Sequence, residues 1–115
     1  MNALYLVKFL KKYADNGCTT EYLSSQNEPS HGYIAPGLWN TLGWKKVDMR
    51  DWIKKDLAPA LDELKLKDSR FSELKLMIHD DVRLFWGEVN TVLDNDINRA
   101  AVAGIGMHWY RNNWL

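Results

Sequence analysis

The chain has 115 residues, 46% hydrophobic and 26% charged, with fifteen basic and fifteen acidic side chains that cancel. That length suits one domain, or part of a larger one, burying about 65% of its unfolded surface, and the composition is that of a folded protein, not a disordered one. No basic stripe exceeds Lys45-Lys46, so nucleic-acid binding finds no support, and the single Cys18 excludes an internal disulfide.

The first element is an amphipathic helix. Leu6, Phe9, Leu10 and Tyr13 recur at helical spacing, and Asn16-Gly17 ends the pattern. Its apolar run, Ala3 to Val7, is interrupted by Lys8, Lys11 and Lys12 and is too short for a targeting segment. Residues 19–26, TTEYLSSQ, are β-branched, aromatic and hydroxylic and read as a strand. A long loop is expected over 27–46, which holds two of the three prolines interleaved with Tyr33, Trp39 and Trp44.

Met49, Trp52, Ile53, Leu57, Ala60 and Leu61 mark the apolar face of a second helix from Val47 to about Leu64, with Asp48 and Asp51 favourable near its start. Pro59 falls inside that pattern and predicts a kink in the helix or a shift of its last turn. A polar connection leads to a strand over Leu74–Ile78, ending in His79-Asp80-Asp81. A third helix follows over 84–93, then a short helical turn after Asp96. The last strand is Ala101–Met107, ending in His108-Trp109-Tyr110.

Strands thus alternate with helices and no hairpin signal intervenes, which predicts an α/β fold with a parallel sheet and right-handed crossovers. Two architectures fit: an open doubly wound sheet, or a segment of a (β/α)8 barrel. Polar residues collect at the C-terminal end of each strand, as Asn27-Glu28-Pro29, His79-Asp80-Asp81 and His108-Trp109-Tyr110, and parallel α/β folds bind ligands at that edge.

Glu28 is the candidate proton donor. Pro29 biases it towards an extended backbone that projects the carboxyl, and Asn27 is placed to hydrogen-bond a hydroxyl group. The competing reading of Glu28 is a glutamate beside an ordinary turn. His79, Asp80, Asp81 and His108 are metal-ligand types, yet no ligand spacing such as HExxH supports a metal. Strand alternation sends His79 and Asp80 to opposite sides, and loop capping with an Asp81–Arg83 interaction is the simpler account. Gly104-Ile105-Gly106 lacks the third glycine and the helix of a nucleotide site, and reads as a strand packed closely on a neighbour. Cys18 and His31 make no nucleophile–base arrangement, and the serines lack a GxSxG elbow.

These motifs resemble one family. NEP at one strand end, LMIHDD on the next and GIGMHWY on the third resemble the glucosylceramidases of glycoside hydrolase family 30. So do the LVKFLKKYADNG helix, the LGW segment and RDWIKKDLAPAL with its internal proline, and together these cover nearly the whole chain.

The resemblance implies a partial catalytic domain over residues 1–115, a segment of a (β/α)8 barrel from about helix three to strand six. It implies Glu28 as acid/base and Asn27 against the sugar's 2-hydroxyl. Tyr110 would stand beside the nucleophile, with His108 and Trp109 on the same rim and Trp39 near the aglycone entrance. The loop APGLWNT around Trp39 departs from the family pattern, with Gly37 where the family often has an aromatic residue. The nucleophile of the family lies beyond the HWY strand, so these 115 residues alone are expected neither to hydrolyse substrate nor to fold stably. Hydrolysis of glucosylceramide with retention, lysosomal residence, and an activator protein with an anionic membrane surface as partners are further implications. No metal or organic cofactor is implied. The alternatives are a relative acting on another β-glycan and a truncated, non-catalytic interaction domain.

Overall fold

A computed structural model describes residues 3–34, 42–83 and 86–110, with backbone only at positions 33 and 34. Helix α1 (Ala3–Asp15) buries Ala3, Leu10 and Ala14, the residues its helical periodicity brings to one face. It stops where the sequence predicts. Gly17 takes φ 85°, and the Gly17 and Cys18 N–H groups bond back to the Ala14 and Tyr13 carbonyls. Only a residue without Cβ enters that left-handed turn at little cost.

Strand β1 is Tyr22–Ser24, shorter than the predicted strand, and the expected loop after it begins instead as a helix, α2 (Pro29–Ile34). Proline suits a helix start, where its missing N–H would have had no partner. The next helical run is one continuous stack: α3 (Lys46–Trp52), a π-helical turn over Ile53–Leu57, and α4 (Ala58–Lys67). Pro59 therefore acts through a widened turn. The Ala58 N–H reaches five residues back to the Ile53 carbonyl, immediately before the proline, which has no N–H to give and would crowd a tighter ladder.

A single 3-10 turn, Ser69–Phe71, capped by the Asp68 carboxylate, leads into strand β2 (Lys75–Asp81). Helices α5 (Trp86–Val92) and α6 (Asp96–Ala101) follow, and strand β3 (Val102–Met107) completes the order. The Asn95 side chain caps α6 by accepting from the Asn98 N–H.

The three strands form one parallel sheet in the order β1-β2-β3, with Leu23 opposite Leu76 and Ile78 opposite Ile105. Each parallel crossover is helical, as the alternation predicts. The core lies between β2, which contributes Leu76 and Ile78, and the helices, which contribute Leu10, Trp52, Ile53, Leu57 and Phe71. Ile53, Leu57 and Phe71 are completely buried. Each such side chain contributes about 1.5–3 kcal/mol relative to exposure, so the helix stack is fixed against the sheet chiefly by these residues.

The candidate active site at the strand ends

The sheet ladder continues beyond the regular strands. Glu28 N–H bonds to the Asp80 carbonyl at 3.0 Å, and His108 N–H to the Asp81 carbonyl at 3.0 Å. These two bonds hold the NEP turn, the end of β2 and the HWY segment together at the C-terminal edge of the sheet. All three polar clusters seen in the sequence therefore meet.

Glu28 is buried with φ 45°. This corrects the extended backbone expected before a proline. The Glu28 N–H is tied to β2 and its carbonyl accepts from the His31 N–H at 3.1 Å, so the residue forms a tight left-handed corner between β1 and α2. His79 (φ 72°) and Asp80 (φ 45°) are also left-handed, and no other non-glycine residue among those described is. Backbone strain of this kind, about 1–3 kcal/mol per residue, persists where surrounding contacts over-determine it.

Glu28 Oε1 lies 3.0 Å from His108 Nδ1, and the same nitrogen is 2.7 Å from the Tyr110 hydroxyl. His108 Nε2 stands 3.3 Å from Asp80 Oδ1, while Asp80 Oδ2 accepts from the Ser24 hydroxyl at 2.7 Å. On the other side of Glu28, His31 Nδ1 is 3.8 Å from Oε2 and 3.3 Å from Asp81 Oδ1.

Asp81 is fully buried. Its Oδ1 accepts the Val82 N–H at 2.7 Å and its Oδ2 the Ser30 N–H at 3.3 Å. These contacts replace the expected Asp81–Arg83 interaction, because the following Val82 N–H takes one oxygen and the Ser30 N–H of α2 the other. Glu28, His31 and Asp81 offer ligand-type atoms within 4.8 Å of one another, a spacing a cation could use, but both Asp81 oxygens already serve N–H donors.

His79 and Asp80 have different neighbours, His79 packing on Trp86 and Glu88 and Asp80 facing Ser24 and His108. The buried His79 ring stacks at 6.0 Å on Trp86, with Nε2 3.1 Å from the Val82 carbonyl and Nδ1 3.7 Å from Glu88 Oε2. Burial disfavours a charged ring there, but Glu88, the Val82 carbonyl and Asp81 outweigh it and hold the His79 imidazole above its ordinary value. Glu88 Oε1 in turn accepts from the Ser30 hydroxyl at 2.8 Å, linking α5 to the NEP turn.

A small cleft is bounded by Pro29, Trp44, Met49, His79, Glu88 and Val92. It lies between the sheet and the helices and includes none of Glu28, Asp80 and His108, so the convergent polar groups, and not this cleft, mark the candidate chemistry.

Of the residues singled out from sequence, Glu28, His108 and Tyr110 converge. Asn27 adjoins Glu28 and is exposed, with its carbonyl accepting from Gln26 Nε2. Trp39 lies outside the described residues. Ser24, Ser30, His31, Asp80, Asp81 and Glu88 complete the group, and their signal in the sequence is partial: HDD stands at a strand end, but His31 has no partner visible in the chain.

A parallel α/β sheet with its polar groups gathered at the C-terminal strand ends belongs to the class of doubly wound sheets and (β/α)8 barrels. Residues 1–114 match the glycosyl hydrolase family 30 TIM-barrel domain, and the chain belongs to that family. Lysosomal acid glucosylceramidase of Mus musculus is 36% identical over 111 residues, which is 94% of this chain and 20% of that protein. SrfJ from Salmonella typhimurium shares the fold, with a TM-score of 0.73 at 21% identity over 94% of this chain and 22% of its own. The chain thus spans about a fifth of the length of the curated relatives it matches.

Proposed function

We propose that these residues supply the acid/base half of the active site of a retaining β-glycosidase acting on glucosylceramide, within the catalytic (β/α)8 domain. The observation that carries this reading is a buried carboxyl at the C-terminal strand edge, contacted by His108, in a chain of family 30. The name of the mouse relative supports the substrate and, with it, a role in sphingolipid metabolism and a lysosomal setting.

In the proposed reaction Glu28 donates a proton to the glycosidic oxygen while a second carboxylate attacks the anomeric carbon. Water then attacks the glycosyl intermediate and returns a proton to Glu28, so two inversions give net retention. Such a mechanism places the carboxyls about 5 Å apart, and the nucleophile belongs to a later barrel strand than β3. Asn27 would bind the 2-hydroxyl, Tyr110 would face the nucleophile, and Trp39 would meet the aglycone. Proton transfer and displacement by carboxylates call for no metal or organic cofactor. An activator protein and an anionic membrane surface are the partners this substrate favours.

The test is Glu28→Gln in the full-length gene product. Loss of general acid catalysis should lower turnover of glucosylceramide by about 10²–10⁴-fold, with a far smaller loss for aryl glucosides whose leaving groups need no proton. Equal loss on both substrates assigns Glu28 a structural role. Turnover of xylan or a β-1,6-glucan in preference to glucosylceramide shifts the substrate, and no turnover of any glycoside favours the non-catalytic reading.

A further inference from the structure

Glu28 has an imidazole on each side, and each imidazole has its own aspartate. We propose that the adjacent pair Asp80 and Asp81 are positioning residues, which hold His108 and His31 against the two carboxyl oxygens of Glu28. The inference rests on the acid/base reading of Glu28 for its consequence, but its geometry stands independently.

Adjacent strand residues ordinarily face opposite ways, so two neighbouring aspartates should not serve one site. Here the strand is deformed to allow it. His79 and Asp80 are both left-handed, and the pairing of β2 with β3 slips between His79 and Asp81. Gly106, on the facing strand, leaves room for the bend: a β-carbon there would stand 3.1 Å from both Asp80 Cα and Asp80 Oδ1. Strain gathered around a candidate catalytic group is grounds for asking what it positions.

The hydrogen-bond partners assign the ring proton of His108. An ionised Asp80 can only accept, so Nε2 carries the hydrogen and Nδ1 of the neutral ring is an acceptor. Two donors lie within reach of Nδ1: a protonated Glu28 at 3.0 Å and the Tyr110 hydroxyl at 2.7 Å. The neutral ring therefore accepts from Glu28 in the acid state. Once Glu28 has passed its proton to the glycosidic oxygen, its carboxylate can only accept and must turn from Nδ1, and the Tyr110 O–H takes over that nitrogen. When water later returns a proton to Glu28, the first partner is restored. On the opposite side, Asp81 accepts the Ser30 N–H at the start of α2 and lies 3.3 Å from His31 Nδ1, the nitrogen that stands 3.8 Å from Glu28 Oε2.

The test reads the ring directly. In the full-length gene product with ¹⁵N-labelled histidine, NMR is expected to show His108 as the Nε2–H tautomer, and Asp80→Asn to abolish that preference because an amide can donate as well as accept. A His108 ring in the Nδ1–H form, or one unchanged by Asp80→Asn, overturns the proposal, and this result does not depend on any glycoside being hydrolysed. In the active enzyme, Asp80→Asn and Asp81→Asn should each lower kcat on glucosylceramide by about 10²-fold with little change in KM, the scale expected of a displaced catalytic group. Dinitrophenyl β-glucoside should be much less affected, and Asp80→Glu should restore part of the loss. Equal loss on both substrates in an Asp80→Asn protein of unchanged melting temperature also overturns it. Wild-type protein inert towards every glucoside overturns the glycosidase reading alone, since the tautomer still decides this one.

Discussion

His108 Nδ1 lies 3.0 Å from Glu28 Oε1 although the two residues are 80 positions apart in the chain. Two parallel crossovers separate them, and each returns the chain to the same edge of the sheet. Strand direction thereby brings groups that share no local motif to one edge of the sheet.

Gly106 and Gly104 should respond differently to alanine. At Gly106 a β-carbon meets the Asp80 backbone and carboxylate at 3.1–3.3 Å, so Gly106→Ala displaces Asp80 from His108. At Gly104 it meets the Cε and Sδ atoms of Met77, the mobile end of a flexible side chain that can swing away. Gly106→Ala is expected to reduce glucosylceramide turnover by at least about 10-fold, with Gly104→Ala close to wild type. Steady-state kinetics on both variants checks the contrast.

Acid conditions should favour the His79–Glu88 pair. The folded-state value of His79 is raised above the ordinary 6.5. Its stabilisation is therefore complete below the unfolded value and is lost as pH rises through the folded one. Thermal melts between pH 5 and pH 8 are expected to show wild-type protein losing its advantage over Glu88→Gln as pH rises. A difference between the two that grows with pH would contradict this sign.

Asn98 is a buried polar hinge. Its side-chain amide donates to the Arg50 carbonyl at 3.0 Å and the Val92 carbonyl at 2.8 Å, joining α6 to α3 and α5. Asn98→Leu leaves both acceptors without that donor and is expected to cost about 1–3 kcal/mol, read from urea unfolding.

Core and surface leucine-class positions should separate cleanly. Phe71 is completely buried, whereas Leu66 is 89% exposed. Phe71→Ala is expected to destabilise by about 3–5 kcal/mol through lost burial and the cavity left behind. Leu66→Ala should change stability by less than about 0.5 kcal/mol. Paired denaturant titrations measure both.

Much of the architecture was legible locally. Periodicity located α1 and the α3–α4 stack, Asn16-Gly17 marked the first helix end, and alternation of elements implied parallel strands. The misreadings have physical causes. A proline ordinarily excludes left-handed backbone before it only while nothing else constrains that residue, and at Glu28 the bond to the Asp80 carbonyl does. At Pro59 the sequence shows the missing N–H but not the wider π-helical turn just before it that accommodates the loss.

Composition, spacing and strand direction are properties of the chain, and they place three polar clusters, NEP, HDD and HWY, at strand ends. The family resemblance drawn from those motifs agrees with the match over residues 1–114. Which groups meet depends on the packing of distant segments. Whether Asp80 and Asp81 oppose each other or converge depends on two left-handed residues and a register slip, and His31 gains its aspartate only when α2 docks on β2. Backbone strain and docking are set by contacts between distant segments, and no local pattern encodes them.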